Sequence, residues 1–231
     1  MEFFTDGLIA AFRLMVSLDA ELQGIISVSL KISLIATLIA GILGMPAGVL
    51  IALREFAFKR IVITILNTLL SVPTVVIGLF VYAFISRRGI FGAFDLLYTP
   101  NAIIIGQIIL IFPIVATFTL SAVSRIDPRY RSTAMTLGAS EFQAALVILR
   151  EARFGIIAAI VAAFGRVISE IGISMMLGGN IRGFTRTMTT AMALEYDKGA
   201  FGLAMALGII LLGISLTLNI LLQYFQGKVS Q

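Results

Sequence analysis

The sequence predicts an all-α integral membrane protein, one transmembrane domain over residues 1–231 with about five spanning helices. Three observations predict it. Of the 231 residues, 59% are hydrophobic and the mean hydropathy is +1.07. Only 13% are charged, about half the share of an ordinary soluble domain. The apolar residues also gather into five runs of about 20 residues, the length that crosses a hydrocarbon core about 30 Å thick.

Composition excludes several chemistries. The chain has no cysteine and no histidine, which removes thiol catalysis, disulfides, imidazole acid–base chemistry and most transition-metal sites. The net charge of +5 is spread over loops without a block of like charges, so nucleic acid is not an expected partner. Met1 and Glu2 lack the basic start of a signal peptide, and none is expected.

Residues 1–21 place Phe4, Leu8, Phe12 and Met15 along one face, with Asp6 and Arg13 elsewhere. This run is too short and too charged to cross, and it reads as an interfacial helix lying on the bilayer surface. Asp19 is placed to cap the next helix. The first span covers residues 24–53, of which 32–53 carry no charge. Within it Gly44 and Gly48 form a small-xxx-small pair that lets another helix approach closely, and Pro46 should kink the helix. Arg54, Glu55, Lys59 and Arg60 make a charged turn before the second span, residues 61–85, which Pro73 should break. The third span, 102–124, holds Gln107 and Pro113. The fourth, 155–177, carries Arg166 and Glu170, read as the only charges at membrane depth. A polar loop at 178–199 follows, then the fifth span at 201–222 and a tail with Lys228. The amides Asn67, Gln107 and Asn219 should hydrogen-bond between helices. An odd number of spans puts the termini on opposite sides. Arg54, Lys59 and Arg60 behind the first span outweigh Arg13 and Lys31 before it, which places the N-terminus outside and the C-terminus in the cytoplasm.

The long polar interruption at 127–153 then lies in the cytoplasm. Ala134, Leu137, Phe142, Ala145, Leu146 and Leu149 recur at helical spacing around Gly138. That pattern predicts two short amphipathic helices meeting at the glycine, either a docking device or a plain connector on the membrane surface.

Its residues resemble a known family. The permease subunits of binding-protein-dependent ABC importers carry a cytoplasmic signature of Glu-Ala-Ala, three residues, Gly, nine residues, Ile, one residue, Leu-Pro. Gly138 and Ile148 match its glycine and isoleucine, and Ala134 its second alanine; Ser132 and Thr133 depart from the first two positions and Arg150 and Glu151 from the last two. A second match lies downstream. FGRVISEIG (164–172) and MMLGGNIRGFTRT (175–187) resemble the element and loop of molybdate, sulfate and tungstate permeases. The matching residues are Glu170, Gly172, Gly179, Asn180, Ile181, Gly183, Thr185 and Thr187, while Ser169 and Ile171 depart from the pattern. The run Arg150-Glu151-Ala152-Arg153 is most similar to the tungstate type. The resemblance covers residues 26–222.

The resemblance implies the type I, MetI-like permease fold and import of a tetrahedral oxyanion. Tungstate is the expected cargo, with molybdate or sulfate as alternatives and phosphate or an amino acid behind them. It implies no catalytic site, metal or cofactor in this chain; ATP and Mg are bound by a partner. The implied partners are a second copy in a homodimer, two cytoplasmic ATP-binding subunits, an extracytoplasmic oxyanion-binding protein and the bilayer of the cell membrane. Coupling to the ATPase would fall on Ala134, Leu137, Gly138, Ala139, Glu141, Phe142, Leu146 and Ile148. Leu137, Phe142 and Leu146 would be the anchors, and Arg129, Arg131 and Glu141 a charged rim. The pathway or gate would use Arg166, Glu170, Gly172, Asn180, Arg182, Gly183, Thr185 and Thr187. For Arg166 and Glu170 three readings stay open: a structural i, i+4 ion pair, a gate element, or direct contact with the anion. The loop at 178–190 is either a flexible connection or a contact for the binding protein, the gate or a passing oxyanion.

Two other classes find little support. A membrane-embedded enzyme would need a convergent set of catalytic groups, and Lys31 near Ser29 and Ser33 stands at a helix end without one. A self-sufficient secondary transporter would need equal inverted repeats, which five spans cannot supply.

Overall fold

The computed structural model describes residues 2–17 and 19–227, and every regular element among them is helical. Lys228 lies outside the described residues, as do the side chains of Phe4 and Asp6. The helices are α1 (Glu2–Val16), α2 (Ala20–Leu53), α3 (Lys59–Leu70), α4 (Thr74–Ile85), α5 (Pro100–Ser124), α6 (Arg129–Thr136), α7 (Glu141–Ile168), α8 (Gly172–Gly178), α9 (Met188–Asp197) and α10 (Phe201–Gly227). Three of them, α2, α5 and α10, are long and apolar enough to cross a membrane; the number reaches five if α3 with α4 and α7 with α8 each form one bent span.

The centre of the bundle is α2 against α5. Asp19 caps α2 as expected, its carboxylate accepting the Leu22 N–H at 3.0 Å. Thr99 caps α5, and Pro100 occupies the first turn, where a missing N–H costs nothing. The two helices approach closely because Gly44 and Gly48 present no side chain. A Cβ on Gly44 would lie 3.0 Å from Val115 Cβ, and one on Gly48 would strike the Ala116 carbonyl. Gln107, buried on α5, donates to the Val167 carbonyl of α7 at 3.5 Å. The other two amides do not bridge helices: Asn219 donates to Ser215 of its own helix at 2.9 Å, and Asn67 is exposed. At one end of the bundle Val49 and Ala52 of α2 pack with Val123, Ile148 and Ala152. The opposite end holds the start of α2 and the start of α9, joined by the Met188 N–H donating to Ser29 Oγ at 2.7 Å.

Several elements differ from the sequence reading. The expected span 61–85 is two helices bent by 102°. Pro73 has no N–H to extend α3, and its ring pushes Val72 out of the helical region. By contrast α2 runs on through Pro46 and α5 through Pro113 without ending. The amphipathic run after Gly138 is not a short surface helix. It is the first half of the 28-residue α7, which continues into the expected fourth span. That span is interrupted at residues 169–171, with a bend of 59° before α8. The expected loop 178–199 contains α9, whose Met188, Thr189, Thr190 and Ala191 are buried.

Of the expected apolar face of α1, Met15 packs inward but Leu8 and Phe12 do not. Its inner face is Gly7, Ala11, Leu14 and Met15, packed on α10, and Leu8 and Phe12 are exposed. Small residues set the distance: a Cβ on Gly7 would lie 2.6 Å from Met205 Sδ, and one on Gly202 would lie 2.8 Å from Ala10 Cβ.

The α2–α5 contact predicts a position-specific glycine effect. Gly48→Val should lower the apparent melting temperature of the detergent-solubilised protein, because overpacking against backbone costs about 1–3 kcal/mol or more. Gly24→Ala, where a Cβ meets nothing within 4 Å, should leave it unchanged. Equal melting of the two variants would contradict the close approach.

Candidate functional site

The expected coupling residues gather at one exposed corner. Gly138 takes φ +87°, a left-handed conformation that any other residue adopts at a cost, and this turns the chain sharply between α6 and α7. α7 then starts on a capping box. Ser140 Oγ accepts the Gln143 N–H at 3.3 Å, and the Gln143 side chain accepts the Ser140 N–H at 2.8 Å. Arg131 of α6 donates to both carboxylate oxygens of Glu141 at 2.6 Å, tying the two helices together. Both partners are well exposed, so the pair sets geometry and adds at most about 1 kcal/mol.

This arrangement leaves large apolar groups in the open. Leu137 is 83% exposed and Phe142 71%. Leu146 is also exposed, and Ala134 and Ala139 are half-buried. A groove of about 360 Å³ runs between the helices, lined by Tyr130, Thr133, Ala134, Leu137 and Val147. Apolar side chains presented this way on a rigid turn are suited to a partner's pocket. Ile148 is different. It is buried against Val123 and Ala152, so it anchors α7 inside the chain and offers nothing to a partner.

At its other end α7 stops at Ile168, and Glu170 lies in the break that follows. This residue is 3% exposed in the chain, and each of its polar groups is occupied. One carboxylate oxygen takes Arg166 Nη1 at 2.6 Å. The other accepts the Ile173 N–H at 3.3 Å, filling a bond that the interrupted helix leaves open. Its carbonyl accepts Thr189 Oγ at 2.8 Å from α9. Gly172 lets α8 sit against the start of α4: a Cβ there would be 3.0 Å from Thr74 Oγ and 3.3 Å from Glu170 Oε1. The two broken elements therefore meet beside Glu170. Of the three readings for Arg166 and Glu170, the ion pair is the one formed in the structure. The carboxylate neutralises Arg166 locally, which disfavours a strong anion site there.

The segment after α8 is a folded turn, not a flexible loop. Asn180 has φ +52°, and its amide donates to the Thr190 carbonyl at 3.3 Å. Gly183, at φ +74°, completes the reversal. Thr185 is buried, donating to the Gly178 carbonyl and accepting the Ile181 N–H at 3.0 Å. Thr187 caps α9 together with Thr190. These threonines hold the turn and are not presented to a passing ion. Arg182, largely exposed, and Arg186 both pair with Glu21 near the start of α2. Neither Glu21 nor Ser29 was singled out for this supporting role, and no local pattern marks it. Ser140 and Gln143 were also missed, although Ser-x-x-Gln ahead of an apolar run is a legible start signal.

Comparison with known proteins places this architecture. Residues 44–231 match the family described as binding-protein-dependent transport system inner membrane component. The tungstate uptake system permease protein TupB of Peptoclostridium acidaminophilum is 38% identical over 228 residues, covering 99% of this chain and 100% of that one. A probable anion ABC transporter permease protein of Haloferax volcanii is 40% identical, over 90% of this chain and 91% of its own. Among solved structures, an amino acid ABC transporter crystallised with histidines superposes with a TM-score of 0.70 at 18% identity, covering 94% of this chain and 98% of that one. The chain therefore belongs to the binding-protein-dependent transport family of inner membrane components and has the fold of an ABC importer permease.

Proposed function

We propose that this chain is the permease subunit through which a tungstate importer moves its oxyanion across the cell membrane, driven by separate ATPase subunits. The observation that carries the reading is the end-to-end match to a tungstate uptake permease, 38% identical over 99% of the chain. The corner formed by α6 and the start of α7 supplies the coupling surface. Leu137 and Phe142 would enter a groove of a cytoplasmic ATP-binding subunit, with Arg131 and Glu141 fixing the register. α7 would carry the motion about 42 Å, its 28 residues at 1.5 Å each, to the break at Glu170. There α4 and α8 would move apart to open the pathway.

On this reading two copies pair around the pathway and two ATP-binding subunits sit beneath them. The N-terminus lies outside, with the coupling corner and the C-terminus in the cytoplasm. The turn at 178–187 faces outward, where exposed Arg182 and Gly183 would meet an oxyanion-binding protein. A waist at which the buried carboxylate of Glu170 is fully bonded suits passage rather than storage. Tight binding of the anion then belongs to the external partner, and tungstate, molybdate and sulfate would be sorted there. The reading is tested by the ATP turnover of the reconstituted importer with its binding protein. Tungstate should stimulate it more than molybdate, sulfate or phosphate; stimulation by phosphate or an amino acid alone would contradict the cargo.

Two variants probe the coupling corner. Phe142→Asp alters an exposed side chain, so the protein should insert normally while ATP hydrolysis no longer drives uptake. Gly138→Leu should do the same by straining the left-handed turn at a cost of about 1–2 kcal/mol. Full uptake by both would remove the docking role. A third measurement concerns the break. Glu170→Gln leaves Arg166 without its counter-charge and should reduce uptake about tenfold or more. The double variant with Arg166→Met should recover part of that loss. A double variant as poor as the single one, or worse, would show that the pair does not act as a unit.

A further inference from the structure

A cleft of about 500 Å³ lies between α5 and α7 at the same end of the bundle as the coupling corner. Its lining changes character along the helices. Along α5 it runs from Phe118 to Arg125, the residue that follows the helix's last turn, and on α7 from Glu151 into the apolar segment beyond Phe154. The helices touch along its floor, where a Cβ on Gly155 would lie 2.7 Å from Ala122 Cβ. Phe118 and Arg125 are seven residues apart, so the charged mouth and the apolar depth are separated by about 10 Å along the helix axis. One end is thus polar and the other aromatic, the profile of a lipid headgroup followed by its acyl chain.

The two charges at the mouth are of opposite sign and are both exposed. Neither Arg125 nor Glu151 has an ion-pair partner among the described residues, and they do not bridge to each other. A purely anionic headgroup would be drawn to Arg125 and repelled by Glu151. A headgroup carrying both a phosphate and a primary ammonium satisfies both, since a guanidinium donates to phosphate oxygens and a carboxylate accepts from an ammonium. A choline headgroup has the phosphate but no N–H to give Glu151.

We propose that this cleft binds phosphatidylethanolamine, with its phosphate on Arg125, its ammonium on Glu151 and an acyl chain along Phe118 and Phe154. The site does not depend on which oxyanion is carried. It puts one lipid against both the last turn of α5 and the first half of α7, the helix that starts at the coupling corner.

The test is native mass spectrometry of the intact transporter, permease with its ATP-binding subunits. The complex is extracted from vesicles containing equal parts of phosphatidylethanolamine, phosphatidylglycerol and phosphatidylcholine. Phosphatidylethanolamine should be retained about tenfold over each of the others, one charge-assisted hydrogen bond being worth that factor. Arg125→Gln and Glu151→Gln should each lower its retention about tenfold, while Arg88→Gln at the other end of the bundle should not. Arg125 and Glu151 are exposed and bonded through their side chains to nothing among the described residues, so assembly of the complex should be unaffected; each variant is compared as a monodisperse complex. Retention of phosphatidylglycerol at or above the level of phosphatidylethanolamine would overturn the proposal. So would equal retention by the variants, or loss of all lipid, the outcome expected if a partner protein covers the cleft.

Discussion

A buried carboxylate holds three helix ends together in this protein. A helix that stops inside an apolar bundle exposes backbone donors and acceptors that neither lipid nor neighbouring alkyl groups can satisfy. At residues 169–171 that problem falls to Glu170. One oxygen closes the start of α8 through the Ile173 N–H, the other holds Arg166 on α7, and the carbonyl receives Thr189 from α9. Burying the charge costs several kcal/mol, offset only when its bonds are complete. In this structure those bonds set the 59° bend between α7 and α8, and the positions of α8 and α9 follow from it. The neighbouring break before Pro73 is of another kind. It arises from an absent donor, and α4 starts there with no side-chain cap.

The second consequence is mechanical. α7 runs without interruption from the exposed turn at Ser140 to the Glu170 break. Ala144, Ile148, Ala152, Ala159 and Ala163 bury one side of it along the whole length. A displacement of the corner thus has a stiff path into the bundle. The contact of α2 with α5 supplies the frame against which such a helix can move, since glycines there allow backbone-to-backbone approach with little side-chain freedom to absorb strain.

Much of the fold was legible in the sequence because membranes impose simple rules. Run length and hydropathy located the apolar segments, and Asp19, Gly48, Pro73 and Gly138 each did locally what their chemistry dictates. What the sequence hid was continuity and connection. Polar residues between Glu141 and Arg153 look like a surface segment, yet a capped helix with a buried alanine stripe carries them straight into the apolar region. The threonines at 185–190 look like loop residues, and their hydroxyls instead close a turn and cap α9. Ile148 fits a docking pattern by spacing alone, whereas its burial against Val123 gives it another task. Glu21 and Ser29 reach partners far along the chain, and no local pattern reports such a contact. For the site, the apolar Leu137 and Phe142 on the α6–α7 turn and the Arg166–Glu170 pair followed from helical spacing; the folded turn at 178–187 did not.

The central claim is that α7 acts as a rigid rod between the coupling corner and the Glu170 break. The chain contains no cysteine, so pairs of spin labels can be placed at will. The most direct measurement is pulsed dipolar spectroscopy on the assembled transporter, with and without trapped ATP, for labels at Gln143 and Ala162 and for labels at Ala162 and Met175. The first pair lies within α7 and should stay about 28 Å apart in both states, while the second, across the break, should change its separation. A changed distance within α7, or an unchanged distance across the break, would contradict the account.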